Sequence, residues 1–310
     1  MIKYPAFVKN TYWSVVCVSR LNKLARVHDI TVTAAGKNPN KKICFTKGNK
    51  RLCISKRHER YFNDIIHNFD YHFDAVLPVE QDGTLVVDYS SARKHVLTRL
   101  GVAFTFTSFP ESTETTDIYL EKAKLTEGNV VIDVGAYCGA TAWAFAKAVG
   151  EKGKVLAFEP DNENFQALCQ NVSLHAMTNV IPIKKGIWSS SAKLLFQGDG
   201  NTGSAMSKFL PERSNVYEVE TISLDDVCSD YGLTRVDFIK MDIEGSEVEV
   251  LKSAKELLKR FKPLMIIEPH MVGGKVDTEM VCDILRDADY SCEVLDQVGL
   301  QLPLIFARPN

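Results

Sequence analysis

Short apolar runs alternate with amphipathic stretches from about residue 106 onward. Runs such as NVVIDV, KVLAFE, VDFIKMD and PLMIIE predict strands, and stretches with apolar residues at helical spacing follow them. Continuous apolar strands separated by helices are typical of a mostly parallel sheet that is buried on both faces. The last two strands, CEVLD and PLIFAR, have no helix between them and therefore predict an antiparallel edge hairpin.

The preceding part of the chain lacks this regularity. We expect a β-hairpin over 42–55 with its turn at Gly48-Asn49, because two strand-like runs flank a turn dipeptide. Apolar residues at helical spacing predict a helix over 56–73, and TLVVDY predicts a strand over 84–89. These elements indicate a small accessory region of mixed structure.

Composition agrees with two folded regions. Hydrophobic residues make up 45% of the 310 positions and charged residues 25%, as in a soluble globular protein. We divide the chain into an N-terminal accessory region, 1–105, and an α/β domain, 106–310.

No apolar run approaches the roughly 20 residues of a membrane span. TYWSVVCV near the N-terminus is short and no small-residue cleavage site follows it, so we expect a cytoplasmic location.

The eight cysteines are scattered and form no CxxC pair. This spacing argues against a structural zinc site. We expect reduced thiols that pack as small apolar side chains.

Charge is distributed unevenly along the chain. Residues 1–60 hold 14 Lys and Arg against 2 Asp and Glu, whereas the whole chain has a net charge of −2. A solvated basic extension and a docking surface for an acidic partner, such as a carrier that presents the substrate, both explain this excess. No motif indicates nucleic-acid binding.

The first strand of the α/β domain leads into the turn D-V-G-A-Y-C-G at 133–139. Ligands of such sheets bind beyond the carboxyl ends of the strands. A nicotinamide-binding turn requires G-x-G-x-x-G, but Tyr137 occupies the middle glycine position. Asp133 before the first glycine suits a cationic ligand such as S-adenosylmethionine better than a diphosphate. The candidate cofactor residues in this turn are Asp133, Gly135, Ala136, Tyr137 and Gly139.

Charged residues follow the next strands at their carboxyl ends. Glu159 can accept hydrogen bonds from ribose hydroxyls, which fits either an S-adenosylmethionine or a nicotinamide cofactor. Lys240, Asp242 and Glu244 alternate along one strand face, and we expect them to line a cleft because three charges would be costly in the core.

The fourth strand ends in MIIEPH, which places Glu268 two residues before His270. A carboxylate beside an imidazole can tune a base or hold a metal ion. We therefore expect these two side chains to be functional.

Five segments together resemble the FkbM-type family of S-adenosylmethionine-dependent methyltransferases over residues 106–310. They are VVIDVGAYCG, AFEPDNENFQALCQNV, ETISLDDV, VDFIKMDIEGSEVEVLKSA and MIIEPH. The resemblance implies a class I, Rossmann-like fold: a seven-stranded, mostly parallel sheet with helices on both faces. It also implies O-methylation of a hydroxyl on a sugar, glycan or natural-product acceptor.

The resemblance assigns roles by position. Asp133, Gly135 and Gly139 match the cofactor turn of the family, and Glu159 matches its ribose acid. The downstream motifs match at Asp242, Glu244, Glu268 and His270.

Two mechanisms stay open at this point. In one, His270 is the general base, Glu268 orients it, and Asp242 lies between cofactor and acceptor. In the other, Asp242, Glu268 and His270 hold a divalent metal ion that lowers the pKa of the acceptor hydroxyl. The segment 196–218 is a candidate lid because of its length and its glycine content.

Two other classes of protein compete with this interpretation. A nicotinamide-dependent oxidoreductase would share the strand–helix pattern but needs the missing glycine. A non-catalytic binding module would share the fold, but it would have no need for polar residues at all four strand ends.

Overall fold

The computed structural model describes residues 18–36, 41–198, 200–201, 203–206, 216–272, 275–276, 278–297 and 302–310. The chain forms two compact units, which span 1–110 and 111–310. The division predicted between residues 105 and 106 lies five residues before this boundary.

The first unit contains a five-stranded sheet with the order β1-β2-β3-β5-β4 and a separate two-stranded sheet, β6-β7. The predicted hairpin is confirmed, because β2 and β3 pair antiparallel on either side of the turn. β3 and β5 pair in parallel, so the chain between them crosses over the sheet. The strands are β1 Thr31–Ala35, β2 Lys42–Lys47, β3 Lys50–Ser55, β4 Val79–Gln81, β5 Thr84–Tyr89, β6 Arg93–Leu97 and β7 Val102–Phe106.

The single helix predicted over 56–73 is wrong. A 3₁₀ helix at Lys56–Tyr61 is followed by α1 at Phe62–His67 and α2 at Tyr71–Ala75. The break between the last two lies at Asn68-Phe69-Asp70, where Asn68 leaves the helical region with φ −111°. Asn and Asp favour such breaks, because their side chains compete with the helix for backbone hydrogen bonds.

Cys44 and Cys53 form a disulfide across the hairpin, so the expectation of reduced thiols is wrong for this pair. The two residues are direct partners in the β2–β3 register, with their Cα atoms 4.1 Å apart. Five other cysteines are free and at least partly buried, as expected: Cys138, Cys169, Cys228, Cys282 and Cys292. Cys17 lies outside the described residues.

The second unit is built on a seven-stranded sheet with the order β10-β9-β8-β15-β16-β20-β19. The first five strands of this order are parallel, and β20 and β19 close the edge as an antiparallel hairpin, as predicted. The strands are β8 Val130–Val134, β9 Lys154–Phe158, β10 Val180–Ile183, β15 Phe238–Met241, β16 Leu264–Ile267, β19 Tyr290–Leu295 and β20 Leu304–Pro309.

Two apolar clusters of buried side chains cover the two faces of this sheet. The α/β fold class predicted from the sequence is confirmed. The helices are α3 Thr113–Ala123, α4 Ala140–Val149, α5 Asn162–Leu174, α6 Leu224–Asp230, α7 Glu247–Ser253, α8 Lys255–Phe261 and α9 Thr278–Asp287. Smaller sheets contain β11 Gly186–Ile187, β12 Ala192–Gln197, β13 Ala205–Met206 and β14 Val216–Ile222, and then β17 Met271–Val272 and β18 Lys275–Val276.

The winding direction of the large sheet reverses between β8 and β15. From β8 the chain proceeds through β9 to β10 on one side, whereas β15 leads to β16 on the other. A crevice opens beyond the carboxyl ends of the strands at such a point. The predicted lid, 196–218, begins close to this crevice, but positions 199, 202 and 207–215 lie outside the described residues.

Within the described ranges, the helices are too short or too polar to cross a membrane.

Candidate active site

A cleft whose empty volume, with open solvent included, is about 570 Å³ lies over the carboxyl ends of β8, β9, β10 and β15. Four of the predicted site residues line it: Gly135, Tyr137, Glu159 and Asp242. The cleft is therefore at the position that the sheet topology requires.

Close packing explains both glycines of the turn. Gly135 has φ +80°, and a Cβ atom there would lie 2.0 Å from the backbone oxygen of Asp242. Gly139 has φ +86°, and its Cβ atom would lie 2.5 Å from Cδ1 of Leu168 on α5. At Gly135 the contact is with backbone, which cannot move aside, so a larger residue is excluded; at Gly139 the contact is with the end of a side chain, and the positive φ adds the reason that a larger residue is disfavoured. The turns after β8 and β15 therefore cross in direct contact.

Glu159 connects the glycine turn to the end of β9. Its Oε2 accepts a hydrogen bond from the backbone N–H of Tyr137 at 2.9 Å, and its Oε1 accepts one from Asp161 at 2.9 Å. Burial and the charge of Asp161 raise the pKa of the Glu159 carboxyl to about 8. Each carboxyl oxygen keeps a second lone pair or a proton, so in either protonation state Glu159 can form a hydrogen bond with a ligand hydroxyl in the cleft.

Tyr137 takes a left-handed conformation with φ +46°, which is uncommon for a residue with a side chain. This conformation directs its N–H group toward Glu159. The neighbouring Ala136 is fully buried and donates its N–H to the carbonyl oxygen of Phe158. Of these two predicted cofactor residues, the cleft lining includes Tyr137.

Asp133 is fully buried behind the turn and does not have the exposed position that a direct cofactor contact requires. Its Oδ2 accepts a hydrogen bond from the Thr141 hydroxyl at 2.8 Å, and its Oδ1 lies 3.5 Å from Nζ of Lys240. Burial raises the pKa of Asp133, and the Lys240 charge opposes that shift. In this structure Asp133 therefore supports the turn from inside.

Lys240 is 1% exposed and lies among three carboxyl groups, those of Glu111, Asp133 and Asp242. Its Nζ donates a hydrogen bond to the carbonyl oxygen of Gly135 at 2.6 Å and lies 3.7 Å from Asp242 and 3.9 Å from Glu111. Burial alone would lower the pKa of this ammonium group, but Asp133, Asp242 and the other carboxylates outweigh burial and raise it.

The expectation that Lys240, Asp242 and Glu244 share one cleft-lining strand face is wrong. β15 ends at Met241, and Glu244 lies in the following turn with φ +53°. Side chains alternate between the two sheet faces only along the strand, so the spacing does not place residues beyond Met241 on the same face as Lys240. Of the three, Asp242 lines the cleft, while Lys240 is buried beneath it.

His270 lies among carboxylates from the tip of β15 and the start of α7. Its Nδ1 is 2.9 Å from Oε1 of Glu247, and its Nε2 is 3.5 Å from Asp242 and 3.8 Å from Glu244. Burial alone would lower the pKa of His270, but the Glu247 hydrogen bond and the nearby charges raise it to about 10. The hydrogen bond that orients His270 therefore comes from Glu247. Burial and the charge of Asp242 raise the pKa of Glu268 to about 7.

Sequence reasoning missed two acidic residues of this site. Glu111 lines the cleft, its Oε2 is shielded and has no hydrogen-bond partner within the described residues, and burial raises its pKa to about 8. Glu247 is 3% exposed although it begins a helix. Glu111 precedes a helix and Glu247 begins one, and an acid at such a position usually stabilises the helix dipole. The sequence therefore carries no signal that separates these two residues from ordinary helix-capping acids.

Metal ligation was the alternative for Asp242, Glu268 and His270. Across the part of the chain that the structure describes, no group of three or more His, Cys, Asp or Glu side chains is arranged to hold a metal ion.

The reversed winding, the glycine turn and the ribose-type acid on the next strand define a class I methyltransferase site. The residues of the cleft fit S-adenosylmethionine. Glu159 provides acceptors for ribose hydroxyls, Phe158, Ile187 and Phe196 provide apolar surface, and acidic groups face the region where a cationic ligand would lie.

Comparison with protein families gives the same assignment. The model of the FkbM methyltransferase domain matches residues 133–292, which is half of the chain. The chain belongs to the FkbM methyltransferase family, and it is an S-adenosylmethionine-dependent methyltransferase.

Curated relatives include two named for carbohydrate or O-methyl chemistry. The chain is 32% identical over 177 residues to the hexuronic acid methyltransferase AglP of Haloferax volcanii, a match that covers 57% of this chain and 69% of AglP. It is 25% identical over 174 residues to the 2-O-methyltransferase NoeI of Sinorhizobium fredii, covering 50% and 70%. A solved FkbM methyltransferase from Methylobacillus flagellatus is 17% identical with a TM-score of 0.44, covering 81% of this chain and 61% of that one.

Proposed function

We propose that this enzyme transfers a methyl group from S-adenosylmethionine to a hydroxyl of a sugar, glycan or natural-product acceptor. The observation that carries the proposal is the position of Asp242, a carboxylate at the topological switch point that lines the cleft beside the Gly135 turn. Carboxylates accept hydrogen bonds from hydroxyl groups. The names of the two relatives, one for a hexuronic acid substrate and one for 2-O-methylation, support this acceptor class.

The cofactor would be held by Glu159 at its ribose and by Gly135, Tyr137 and Asp242 along the glycine turn. When bound, it supplies an electrophilic methyl group on a sulfonium centre. The protein must place the acceptor oxygen in line with that group, and such positioning is worth roughly 7–11 kcal/mol.

The surroundings of His270 favour a positioning role over the general-base role first expected. With a pKa raised to about 10, His270 is protonated at neutral pH and has no lone pair to accept a proton. We therefore assign proton acceptance to Asp242, because its carboxylate lines the cleft. Its contacts with His270 and Lys240 hold that carboxylate in place. Glu268, with a pKa raised to about 7, is the third member of this group and can share the proton.

Substitution of Asp242 tests the proposal directly. We expect Asp242→Asn to lower the rate of methyl transfer by about 10²–10⁴-fold, the usual contribution of a positioned acid or base. The assay follows transfer of a labelled methyl group to a panel of uronic acids and neutral glycosides. Full turnover in Asp242→Asn would contradict the role of Asp242. A wild-type protein that methylates no member of the panel, or that binds NAD tightly, would contradict the proposed function. Chelation tests the metal-dependent alternative, because activity lost to a chelator and restored by a divalent ion would favour that mechanism.

An acidic carrier for the acceptor is a further part of this proposal, and it depends on the basic excess of residues 1–60. Lys42 pairs with Asp88 at 3.1 Å, and Lys47 and Lys50 both pair with Asp70, at 2.7 and 2.9 Å. These internal pairs reduce the charge left for a partner. A carrier predicts that the KM for a carrier-bound acceptor rises with salt while the KM for a free acceptor does not.

A cytoplasmic location is likewise a proposal. It conflicts with the Cys44–Cys53 disulfide, because disulfides are rare in reducing compartments. Alkylation of thiols in intact cells, followed by mass measurement, decides whether this pair is reduced where the protein works.

A further inference from the structure

Asp161 is buried beside the cleft, with 1% of its surface exposed. It is the N-cap of α5, because its Oδ1 accepts hydrogen bonds from the backbone N–H groups of Glu163 at 2.8 Å and Asn164 at 3.1 Å. This is the ordinary use of an Asp before a helix. Capping therefore uses one of the two carboxylate oxygens of Asp161.

The other oxygen contacts a different part of the chain. Oδ2 of Asp161 accepts hydrogen bonds from the backbone N–H of Gly200 at 3.2 Å and from the Ser204 hydroxyl at 3.0 Å. Asn164 adds a second tie, because its side-chain amide donates to the carbonyl oxygen of Asn201 at 3.0 Å. We name the described residues 200–201 and 203–206 the loop wall.

The loop wall forms one side of the cofactor cleft. Asn201, Ser204 and Met206 line the cleft together with Glu159, which lies two residues before Asp161. Packing beneath the wall is close, since a Cβ atom on Gly186 would lie 2.6 Å from Cε of Met206. The wall is thus attached to the same short segment that carries the ribose acid.

We infer that Asp161 is a positioning residue for cofactor binding. Its Oδ2 holds the loop wall against the start of α5 through the bonds to Gly200 and Ser204, so that the wall forms the side of the cleft beside Glu159. We call these two hydrogen bonds the latch. The inference rests on the proposed function, because it takes the ligand of the cleft to be S-adenosylmethionine. It differs from a capping role, because capping uses Oδ1 whereas the latch uses Oδ2.

Two substitutions separate the latch from the cap. Asp161→Ser retains an oxygen for the cap, and Ser caps helices about as well as Asp, but it removes Oδ2 and both latch bonds. Ser204→Ala removes one latch bond from the other side and leaves Asp161 intact; it also removes the longer contact of the same hydroxyl with the carbonyl oxygen of Asn201, at 3.3 Å. Ser223 provides the matched control: it caps α6 through Asp226, is buried, and is not part of the cleft lining.

The ligand is S-adenosylhomocysteine, the demethylated product, and its dissociation constant is measured by calorimetry on the full chain. We expect that constant to rise roughly tenfold in Asp161→Ser and about threefold in Ser204→Ala, because two and one hydrogen bonds are lost. The Tm of both variants should fall by no more than a few degrees, because the lost bonds hold a loop and not the sheet. Ser223→Ala should lower the Tm by about 2–4 °C and leave the dissociation constant unchanged.

Hydrogen exchange on the ligand-free protein provides a second measurement that does not depend on the cofactor. We expect faster exchange in the loop wall, 200–201 and 203–206, in Asp161→Ser and wild-type exchange there in Ser223→Ala. Unchanged affinity in Asp161→Ser and Ser204→Ala, beside measurable binding by the wild type, would overturn the latch alone. A wild-type protein that does not bind S-adenosylhomocysteine would overturn the proposed function, and the latch with it.

Discussion

Removal of the buried charge of Lys240 should make the protein sensitive to pH. Lys240→Met keeps a side chain of similar length but removes the ammonium group, which lies 3.5 Å from Asp133, 3.7 Å from Asp242 and 3.9 Å from Glu111. Loss of one partner of a buried ion pair usually costs about 3–5 kcal/mol, because the remaining charge is left uncompensated.

The loss of stability in Lys240→Met depends on pH, because the carboxylates can take up protons instead of remaining buried as unpaired charges. Protonating a carboxyl whose ordinary pKa is near 4 costs about 1.4 kcal/mol per pH unit above that value, which is about 5 kcal/mol at pH 8 and about 1.4 kcal/mol at pH 5. Asp133 is the group expected to take up a proton, because burial raises its pKa and the Lys240 charge opposes that shift. Glu111 adds little, because its pKa is already about 8 with Lys240 present. A raised carboxyl pKa means that stability falls as pH rises.

We therefore expect Lys240→Met to lose about 3–5 kcal/mol of unfolding free energy at pH 8 and about 1–2 kcal/mol at pH 5. Urea unfolding of the wild type and the variant at both pH values measures the difference. Lys240→Arg is the control, because it keeps the charge and should show a pH-independent penalty. Equal losses for Lys240→Met at pH 5 and pH 8 would refute the electrostatic reasoning and leave packing as the cause.

Three further predictions concern other parts of the chain. Gly135→Ala should abolish binding of S-adenosylhomocysteine or lower the Tm sharply, because the added methyl group would lie 2.0 Å from the Asp242 oxygen; a variant with wild-type affinity and Tm would contradict this. The double variant Cys44→Ser/Cys53→Ser should lose about 2–3 kcal/mol of stability, the loop-closure value for so short a loop, and reduction should add 2 Da to the wild-type mass only. Burial lowers the pKa of His72 to about 4, so protonation favours unfolding, and stability is lost as pH falls from about 6.5 toward 4. This loss is about 2 kcal/mol at pH 5, and a His72→Phe variant that unfolds with unchanged pH dependence would show that His72 is not its source.

The strands of the α/β domain and their ends were predictable because hydrophobic periodicity is local. NVVIDV and VDFIKMD gave β8 and β15 nearly as observed, and the two helix-free strands at the C-terminus gave the antiparallel edge. The position of the cleft followed from the same pattern, since parallel strands bring their carboxyl ends to one edge. Even the disulfide had a local signal: the turn at Gly48-Asn49 places Cys44 directly opposite Cys53.

What the tertiary structure alone decided is which groups meet around each charged residue. Asp133 was expected to face the cofactor, but it is a register partner of Lys240, a residue 107 positions away, and both are buried. His270 was expected to be oriented by its neighbour Glu268, but it contacts Glu247 instead. Sequence spacing fixes the face of a strand on which a residue lies, whereas hydrogen-bond partners and pKa depend on distances between strands and loops. Those distances are set by packing of the whole sheet, and so the sequence by itself determined the class of the protein and the edge of the sheet at which the cleft lies, while the fold decided which charged groups lie close to one another.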